Sequence, residues 1–201
     1  MNNKILLATN NPGKVGELRE LLSDTHLSVS GLSDYPGVTE VSETGLTFEE
    51  NAVLKACGYA GQTGVVSLAD DSGLEVTALG GRPGVLSARY GGESTPFAEK
   101  MSILLNEIAE TGVDDRRARF VCALAIARPD GEILFRSRGV CEGRIALEPR
   151  GSGGFGYDPL FVPEGFEMTF GELPDGVKRK ISHRARAFSQ IIPFLRHFGA
   201  L

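Results

Sequence analysis

The sequence predicts an α/β protein with a mixed central sheet flanked by helices. Residues 4–9 form a strand pattern that is apolar on both faces, and a break at residues 10–13 precedes a helical period. Further on, a long strand at 118–128 turns through residues 129–132 into an antiparallel strand at 133–135. An antiparallel pair in such a sheet means that it is mixed and not purely parallel. The apolar positions of the first helix are Val15, Leu18, Leu21 and Leu22.

Length and charge limit the domain organisation and the partners. With 201 residues, 41% of them hydrophobic, the chain can bury one full core, either as one compact domain or as one domain with a cleft between two lobes. The formal net charge of -5 argues against a nucleic-acid polymer as partner, because binding to its backbone needs a basic face. Small anionic substrates remain compatible with this charge, since lysines and arginines can cluster locally.

Cysteine usage and hydropathy predict a soluble protein of the cytoplasm. Cys57, Cys122 and Cys141 are an odd set without paired metal-ligand spacing, so we expect reduced thiols that belong to the core. The apolar run after Lys4 is too short for a signal peptide, and no later run approaches the ~20 residues of a membrane span. We therefore expect no membrane partner.

The loop at residues 9–14 has the strand–loop–helix order that presents backbone N–H groups to a phosphate. Lys14 opens the helix and could reach a phosphate oxygen. The loop is not a Walker A motif, because its glycine spacing differs and Val15 stands where Ser or Thr should hold the metal. Taken alone, such a loop is more often a plain connection.

The next segments predict a strand and a well-capped helix. Residues 27–31 form the strand pattern. Thr47 and Glu50 have the spacing of a capping box, so a helix should run from there to about Gly61. Lys55 lies on this helix, and its position favours a solvated charge over a phosphate contact.

Two adjacent carboxylates mark the stretch around which the candidate site is organised. Asp70 and Asp71 follow the apolar run at 65–68, and Ser72 and Gly73 come next. Because side chains alternate along an extended segment and Gly73 makes a turn cheap, we expect the strand to end here with one carboxylate facing a cleft. Carboxylate oxygens suit Mg2+, which takes one or two carboxylates plus substrate phosphates. A solvated Asp-Asp turn is the alternative for this stretch alone.

Two later segments predict a structural helix and a ligand-binding loop. Thr95 and Pro96 mark a helix start. Residues 151–159 place Phe155 in glycine-dense backbone, which suits close approach of a ligand and stacking of a base on the ring. A flexible hinge is the alternative for this loop. The buried stripe expected for the helix is Phe97, Met101, Leu104, Leu105 and Ile108.

The cation-rich segment at 178–184 leads into the last helix. Ser182 is the expected cap, and Pro193 should kink the helix. His183 and Arg184 would then lie at the helix start, where the dipole disfavours cations unless an anion or ligand compensates. This misfit favours a functional role for the two residues.

Across nearly the whole chain these features resemble one family, the inosine triphosphate pyrophosphatases, which clear non-standard purine nucleoside triphosphates. The resemblance rests on several blocks in the family's order and not on any single motif. The blocks are residues 9–14 (TNNPGK), 43–52 (ETGLTFEENA), 69–74 (ADDSGL), 83–90 (PGVLSARY), 153–159 (GGFGYDP) and 182–184 (SHR).

The resemblance implies a fold, a reaction and an assembly. The fold would be α/β with a mixed sheet, and the chain from 1 to 201 would form one catalytic domain of two lobes with a substrate cleft between them. The reaction would be Mg2+-dependent hydrolysis of ITP, dITP or XTP between the α and β phosphates, which gives the nucleoside monophosphate and pyrophosphate. The enzyme would be a homodimer.

By matching position, the resemblance also implies residue roles. Asp71 would be the general base and a metal-associated carboxylate, with Glu43 and Asp70 as further candidate ligands. Residues 9–14 would hold the triphosphate, Ser72 would contact the substrate, and the remaining residues would build the nucleoside pocket. The implied substrate-binding residues are Thr9, Asn10, Asn11, Pro12, Gly13, Lys14, Ser72, Phe155, Gly156, Tyr157, Asp158, Lys178, His183 and Arg184.

Three questions stay open at the level of sequence. Asp71 could contact the metal directly or through water. The two roles compete, since a carboxylate bound directly to Mg2+ is a poor base. Arg184 can only donate hydrogen bonds, so it should favour the position 6 carbonyl of hypoxanthine or xanthine over the amino group of adenine. The alternative functions are a nucleotide-binding module without turnover and an acyl hydrolase that uses Ser72 and His183, although no G-x-S-x-G motif surrounds Ser72.

Overall fold

The computed structural model describes residues 3–23 and 25–198, and it confirms the mixed α/β fold. The described strands are β1 (Lys4–Leu7), β2 (Ser28–Gly31), β3 (Ser67–Val76), β4 (Arg117–Ala127), β5 (Ile133–Ile145) and β6 (Phe161–Pro163). They form one sheet in the order β2-β1-β3-β4-β5-β6. β1 pairs in parallel with β2 and β3, whereas β5 pairs antiparallel with β6. The sheet is therefore mixed, as the sequence predicts.

The helices begin and end close to the positions that their capping residues indicate. In the predicted capping box, the Thr47 hydroxyl accepts the Glu50 N–H and the Glu50 carboxylate accepts the Thr47 N–H, each at 3.1 Å. The first helix begins at Pro12, because Asn11 serves as its N-cap and proline suits the first turn. The described helices are α1 (Pro12–Leu22), α2 (Phe48–Thr63), α3 (Phe97–Glu110), α4 (Asp175–Ile181) and α5 (His183–His197).

The end of the strand expected at the two carboxylates is wrong. β3 is one continuous strand of 10 residues that passes through Asp70, Asp71, Ser72 and Gly73. β4 is its hydrogen-bonded neighbour on one side, whereas β1 on the other side pairs with it only at Ser67 and Leu68. Because side chains alternate along a strand, the two carboxylates lie on opposite faces of the sheet, and both are buried.

Other differences concern the second half of the chain. β5 extends to Ile145, well beyond the short strand at 133–135 that the sequence predicts. The seven-residue helix α4 is absent from the sequence-based prediction. α5 continues through Pro193 to His197, and the kink expected at this proline stays a prediction.

The chain forms two compact units, and each has its own apolar core. The first unit comprises the described residues up to 71, residues 122–139 and those from 184 onward, and the second comprises residues 72–121 and 140–183. The core of the first unit contains residues of α1, β4 and α5, and the core of the second contains residues of α3, β5 and β6. That both units act as one catalytic domain stays a prediction.

The cysteines are free thiols, as expected. Cys122 and Cys141 are buried in the two cores, whereas Cys57 is half-buried. Within the described ranges, no helix has both the length and the apolar character needed to cross a membrane.

Candidate active site

Asp70 lies at the centre of a buried ion-pair network in the first unit. Its Oδ1 pairs with Lys14 Nζ at 2.5 Å, and its Oδ2 accepts a hydrogen bond from Arg184 Nε at 2.8 Å. Arg184 also donates through Nη1 to Glu17, and the thiol of Cys122 donates to Asp70 Oδ2 at 3.1 Å. Burial by itself raises the pKa of Asp70, but the charges of Arg184 and Lys14 outweigh it and hold the pKa well below its ordinary value. Asp70 is thus an ionised carboxylate with partners on both oxygens.

The candidate phosphate loop is the capped start of α1. Thr9 Oγ1 accepts the N–H of Asn11 at 3.2 Å, and Asn11 Oδ1 accepts the N–H of Lys14 at 3.2 Å. Asn10 and Pro12 are exposed at this turn. Because the cap fixes the first turn of the helix, the Lys14 side chain is directed into the network described above. The loop therefore offers a lysine held in place at a helix N-terminus, where anions are favoured.

Asp71 belongs to a second cluster of the first unit, on the opposite face of β3. Lys55 on α2 bridges Asp71 Oδ1 and Glu43 Oε1, at 2.8 Å each. The other oxygen, Asp71 Oδ2, is buried and has no hydrogen-bond partner among the described residues. Burial raises the pKa of Asp71, and the charges of Lys55 and Lys14 offset only part of this rise. A buried carboxylate with a raised pKa and an unpartnered oxygen suits a general base.

The solvated environment predicted for Lys55 is wrong. The residue is only 8% exposed. Burial alone would lower the pKa of the Lys55 ammonium, but the charges of Asp71 and Glu43 outweigh it and raise the pKa. Lys55 is therefore a charged bridge between two carboxylates, and it was misplaced because both partners are distant in sequence.

Asp71 and Glu43 fit the requirements of a Mg2+ site. Mg2+ takes one or two carboxylates together with substrate phosphates and water, and the unpartnered Asp71 Oδ2 can accept a hydrogen bond from a metal-bound water. In the described part of the chain, no three or more His, Cys, Asp or Glu side chains converge as a metal cluster. The structure does not bring Asp70 into this pair, because both of its oxygens contact Lys14, Arg184 or Cys122.

Asp158 organises the glycine-rich stretch of the second unit. Its Oδ2 accepts the N–H of Phe155 at 2.7 Å and a hydrogen bond from Lys178 Nζ at 2.6 Å. Lys178 Nζ also lies 4.4 Å from the centre of the Phe155 ring, within cation–π range. Gly154 has a φ of +70°, and a Cβ at this position would lie 2.1 Å from Asp158 Oδ2, so the turn requires glycine. Phe155 and Lys178, both predicted to contact the nucleoside, are thus held together.

Other predicted site residues of the second unit have packing partners. Tyr157 is buried, and its hydroxyl donates to the backbone oxygen of Ser87 at 3.2 Å. The His183 ring stacks on Phe120 with ring centres 4.7 Å apart. Ser72 lies inside β3 and not on the sharp strand-to-helix turn that an acyl-hydrolase nucleophile occupies, which disfavours that alternative.

The structure adds three residues of the first unit that the sequence did not single out: Glu17 and Cys122 contact the Asp70 network, and Asn51 lies near Lys55 on α2. Glu17 contacts a residue 167 positions away, and Cys122 contacts one 52 positions away, so no local pattern could reveal them. Asn51 is different, because it lies four residues before Lys55 on α2 and shares its buried side. Two polar residues at this spacing on a buried helix face are a signal that the sequence does contain.

The geometry defines an α/β protein with a buried carboxylate–lysine cluster and a separate aromatic–lysine cluster. The sequence model of the Ham1 family matches residues 5–194, and the chain belongs to this family. It is 48% identical over 195 residues to the dITP/XTP pyrophosphatase of Exiguobacterium sibiricum, in an alignment that covers 97% of this chain and 98% of that protein. The family membership confirms the resemblance found in the sequence.

Solved structures support the same assignment. The HAM1 protein from Coxiella burnetii superposes with a TM-score of 0.89 at 40% identity, over 96% of this chain and 98% of that one. The nucleoside-triphosphatase, or dITP/XTP pyrophosphatase, from Mycobacterium abscessus superposes with a TM-score of 0.77 at 43% identity, over 94% and 99%. The fold is therefore that of the family along nearly the whole chain.

Proposed function

We propose that the protein hydrolyses the non-standard purine nucleoside triphosphates ITP, dITP and XTP to the nucleoside monophosphate and pyrophosphate, and so cleanses the nucleotide pool. Relatives named dITP/XTP pyrophosphatase, matched over nearly their full length, support the substrate class. The observation that carries the chemistry is Asp71, whose buried Oδ2 is unpartnered while Lys55 holds Oδ1.

In this proposal Asp71 is the general base. Its Oδ2 takes a proton from water while the water oxygen forms a bond to the α phosphorus. The bond between the α phosphorus and the α–β bridging oxygen breaks, and pyrophosphate leaves. Lys55 fixes the carboxylate by its contact with Oδ1 at 2.8 Å. The raised pKa of Asp71, caused by burial, increases its affinity for the proton that it must accept.

The charge of the triphosphate is met by lysines and by Mg2+. Hydrolysis of this kind depends mostly on positioning and on neutralising charge. Lys14, at the start of α1, would bind phosphate oxygens together with the loop from Thr9 to Gly13. Mg2+ held by Glu43, and by Asp71 through a water molecule, would supply further neutralisation of the phosphate oxygens when bound and would leave Asp71 Oδ2 able to act as the base. Ser72, the residue after Asp71 in β3, would contact the substrate.

The nucleoside is assigned to Phe155, Lys178, His183 and Arg184. Phe155 offers a ring face for stacking, and the turn from Phe155 to Asp158, which includes Gly156 and Tyr157, holds it. Lys178 and Arg184 present only donors, which match the position 6 carbonyl of hypoxanthine and xanthine but not the amino group of adenine. From the family resemblance we further propose that the enzyme is a homodimer of the cytoplasm.

A nucleotide panel tests the proposal. Pyrophosphate and nucleoside monophosphate are measured with ITP, dITP, XTP, GTP and ATP, with and without Mg2+. We expect equal amounts of the two products from ITP, dITP and XTP in the presence of Mg2+. ATP should be disfavoured in kcat/KM by about 10,000-fold, because a site built for a carbonyl leaves buried donors unpaired against an amino group. Tight binding of ITP without product would instead identify a nucleotide-binding module.

A further inference from the structure

Asn51 is a fully buried amide of which only half is used within the described structure. The residue is 0% exposed and lies in the first turns of α2. Its Oδ1 accepts a hydrogen bond from the N–H of Gly45 at 2.8 Å. Its Nδ2 is buried and has no partner among the described residues. A buried donor of this kind costs free energy of folding unless a ligand or water satisfies it.

The orientation of the amide is fixed by its neighbour. If the oxygen and nitrogen of Asn51 were exchanged, the NH2 group would face the N–H of Gly45, donor against donor. A Cβ at position 45 would lie 2.8 Å from Asn51 Oδ1, so the close contact also needs glycine. The group left for another partner is therefore the NH2 donor.

Lys55 connects the part of α2 that carries the unpartnered donor to the carboxylate of Asp71. Asn51 and Lys55 lie one helical turn apart on α2 and hold the segment before it, Asn51 at Gly45 and Lys55 at Glu43. Lys55 then reaches Asp71 Oδ1 at 2.8 Å, which leaves Asp71 Oδ2 as the acceptor. A water molecule that reaches both groups would satisfy both, because it can accept a hydrogen bond from Asn51 Nδ2 and donate one to Asp71 Oδ2.

We propose that Asn51 is a catalytic residue that holds the attacking water. Nδ2 of Asn51 donates a hydrogen bond to the water oxygen, and the water donates a hydrogen to Asp71 Oδ2. The remaining lone pair of the water forms the bond to the α phosphorus, the proton passes to Asp71, and pyrophosphate leaves with the bridging oxygen. Asn51 keeps both of its protons throughout. This inference rests on the proposed function and adds the residue that aims the nucleophile.

Three variants separate the donor from the contact with Gly45. Asn51→Asp keeps an oxygen for the Gly45 N–H and removes the donor. Asn51→Leu removes both without adding charge. Gly45→Ala is the matched control, because its Cβ crowds Glu50 Cβ and Asn51 Oδ1 at the start of α2 but leaves the NH2 group of Asn51 in place. For each protein, kcat and KM are measured with ITP, the affinity for α,β-methylene-ITP is measured by calorimetry, and folding is checked by circular dichroism.

We expect both Asn51→Asp and Asn51→Leu to lower kcat by about 100-fold, because a misplaced attacking water reacts that much more slowly. In Asn51→Leu, the KM for ITP and the affinity for the analogue should change less than about threefold. Gly45→Ala should lose less in kcat than either. If Asn51→Leu does not fold, the kcat of Asn51→Asp alone tests the proposal.

Two results would overturn the assignment. The first is a wild-type kcat in Asn51→Asp together with a strong loss of kcat in Gly45→Ala. This result would mean that Asn51 acts only by holding the loop at Gly45. A raised KM and weaker analogue binding at unchanged kcat in Asn51→Leu would make Asn51 a phosphate ligand. A wild-type protein that does not convert ITP at all would refute the proposed function itself, which distinguishes the two failures.

Discussion

Asp70 and Asp71 are consecutive residues of one strand, and both are buried, but their surroundings differ. Asp70 has partners on both oxygens, among them the cations of Lys14 and Arg184. Asp71 contacts Lys55 through one oxygen, while the other has no hydrogen-bond partner among the described residues. The pKa of Asp70 is held well below its ordinary value, and the pKa of Asp71 is raised.

The difference shows how one sequence doublet can supply two functions. Burial acts on both carboxyl groups in the same direction, and cations decide the outcome. The alternation of β3 places Asp70 in a complete ion-pair network, which suits a structural carboxylate that holds Lys14 and Arg184. The same alternation leaves Asp71 in an incomplete cluster, which suits a group that must take up a proton. Variants of the two clusters should therefore fail in different ways.

The largest effect is expected for Asp71→Asn. We predict that kcat with saturating ITP and Mg2+ falls about 100- to 10,000-fold, because the general base is removed. Folding stability at neutral pH should fall less than in Asp70→Asn, because Lys55 keeps its contact with Glu43 and a charged carboxyl is no longer buried. A carboxyl whose folded-state pKa is raised contributes stability at low pH that is lost as the pH increases, so the amide avoids this cost. Near wild-type turnover would disprove the role of Asp71.

Asp70→Asn should lower the folding stability more than Asp71→Asn does. Removing this carboxylate takes an ion-pair partner from the buried guanidinium of Arg184, and loss of one partner of a buried pair costs about 3–5 kcal/mol. Urea unfolding at neutral pH measures the difference from the wild type.

The pH dependence of this difference follows from the lowered pKa of Asp70. Its stabilising contribution is complete above the unfolded-state pKa, near the ordinary value of 3.8, and is lost as the pH falls through the lower folded-state pKa. The wild type and Asp70→Asn should therefore converge in stability in acid below that value. A gap that stays constant down to the acid-unfolding range would show that Asp70 is not held by ion pairs.

Arg184→Met tests whether a residue of the Asp70 network also reads the base. The change leaves Asp70 and Glu17 without the guanidinium, so we expect lower stability. We also expect kcat/KM to fall more with ITP than with ATP, because only the keto base offers an acceptor to arginine. Steady-state kinetics with ITP, XTP, GTP and ATP measure the ratios. An equal loss of kcat/KM with all four nucleotides would mean that Arg184 serves the ion-pair network and does not read the base.

A smaller effect is expected for Lys55→Met, and it concerns the pH profile. The charge of Lys55 lowers the pKa of Asp71, so its removal should raise that pKa further. The acidic limb of kcat/KM against pH should then move to higher pH, since this limb reports the base of the free enzyme. The exposed Lys180 on α4 provides the control, and Lys180→Met should leave the limb in place. An unmoved limb in Lys55→Met would mean that another group controls it.

The sequence predicted those parts of the fold that local signals determine. The capping box of Thr47 and Glu50 identified α2, because cap and helix lie side by side in the chain. The end of the strand near Gly73 was predicted wrongly, because a glycine permits a turn without requiring one, and β3 runs on as a strand beside β4. The short helix α4 was missed, since its cation-rich sequence has little apolar periodicity.

The sequence predicted some residues of the candidate site correctly and missed others, again because local signals are visible in the sequence and distant contacts are not. Family blocks pointed to Asp71 and Phe155, but the burial of Lys55 depends on partners that lie far from it in sequence. Likewise, the pairing of Glu17 with Arg184 spans 167 positions, and only the folded chain shows it. The residue types in the sequence indicate which side chains can bind metal, phosphate or protons. Their charge states depend on contacts that exist only in the folded chain.

The most direct test of the account is the position of attack on the triphosphate. ITP is hydrolysed by the wild-type protein in water enriched in 18O, with Mg2+ present, and the products are examined by mass spectrometry. If Asp71 activates a water against the α phosphorus, one atom of 18O enters inosine monophosphate and the released pyrophosphate carries none. Label in pyrophosphate, with unlabelled inosine monophosphate, would place the attack at the β phosphorus and contradict the account.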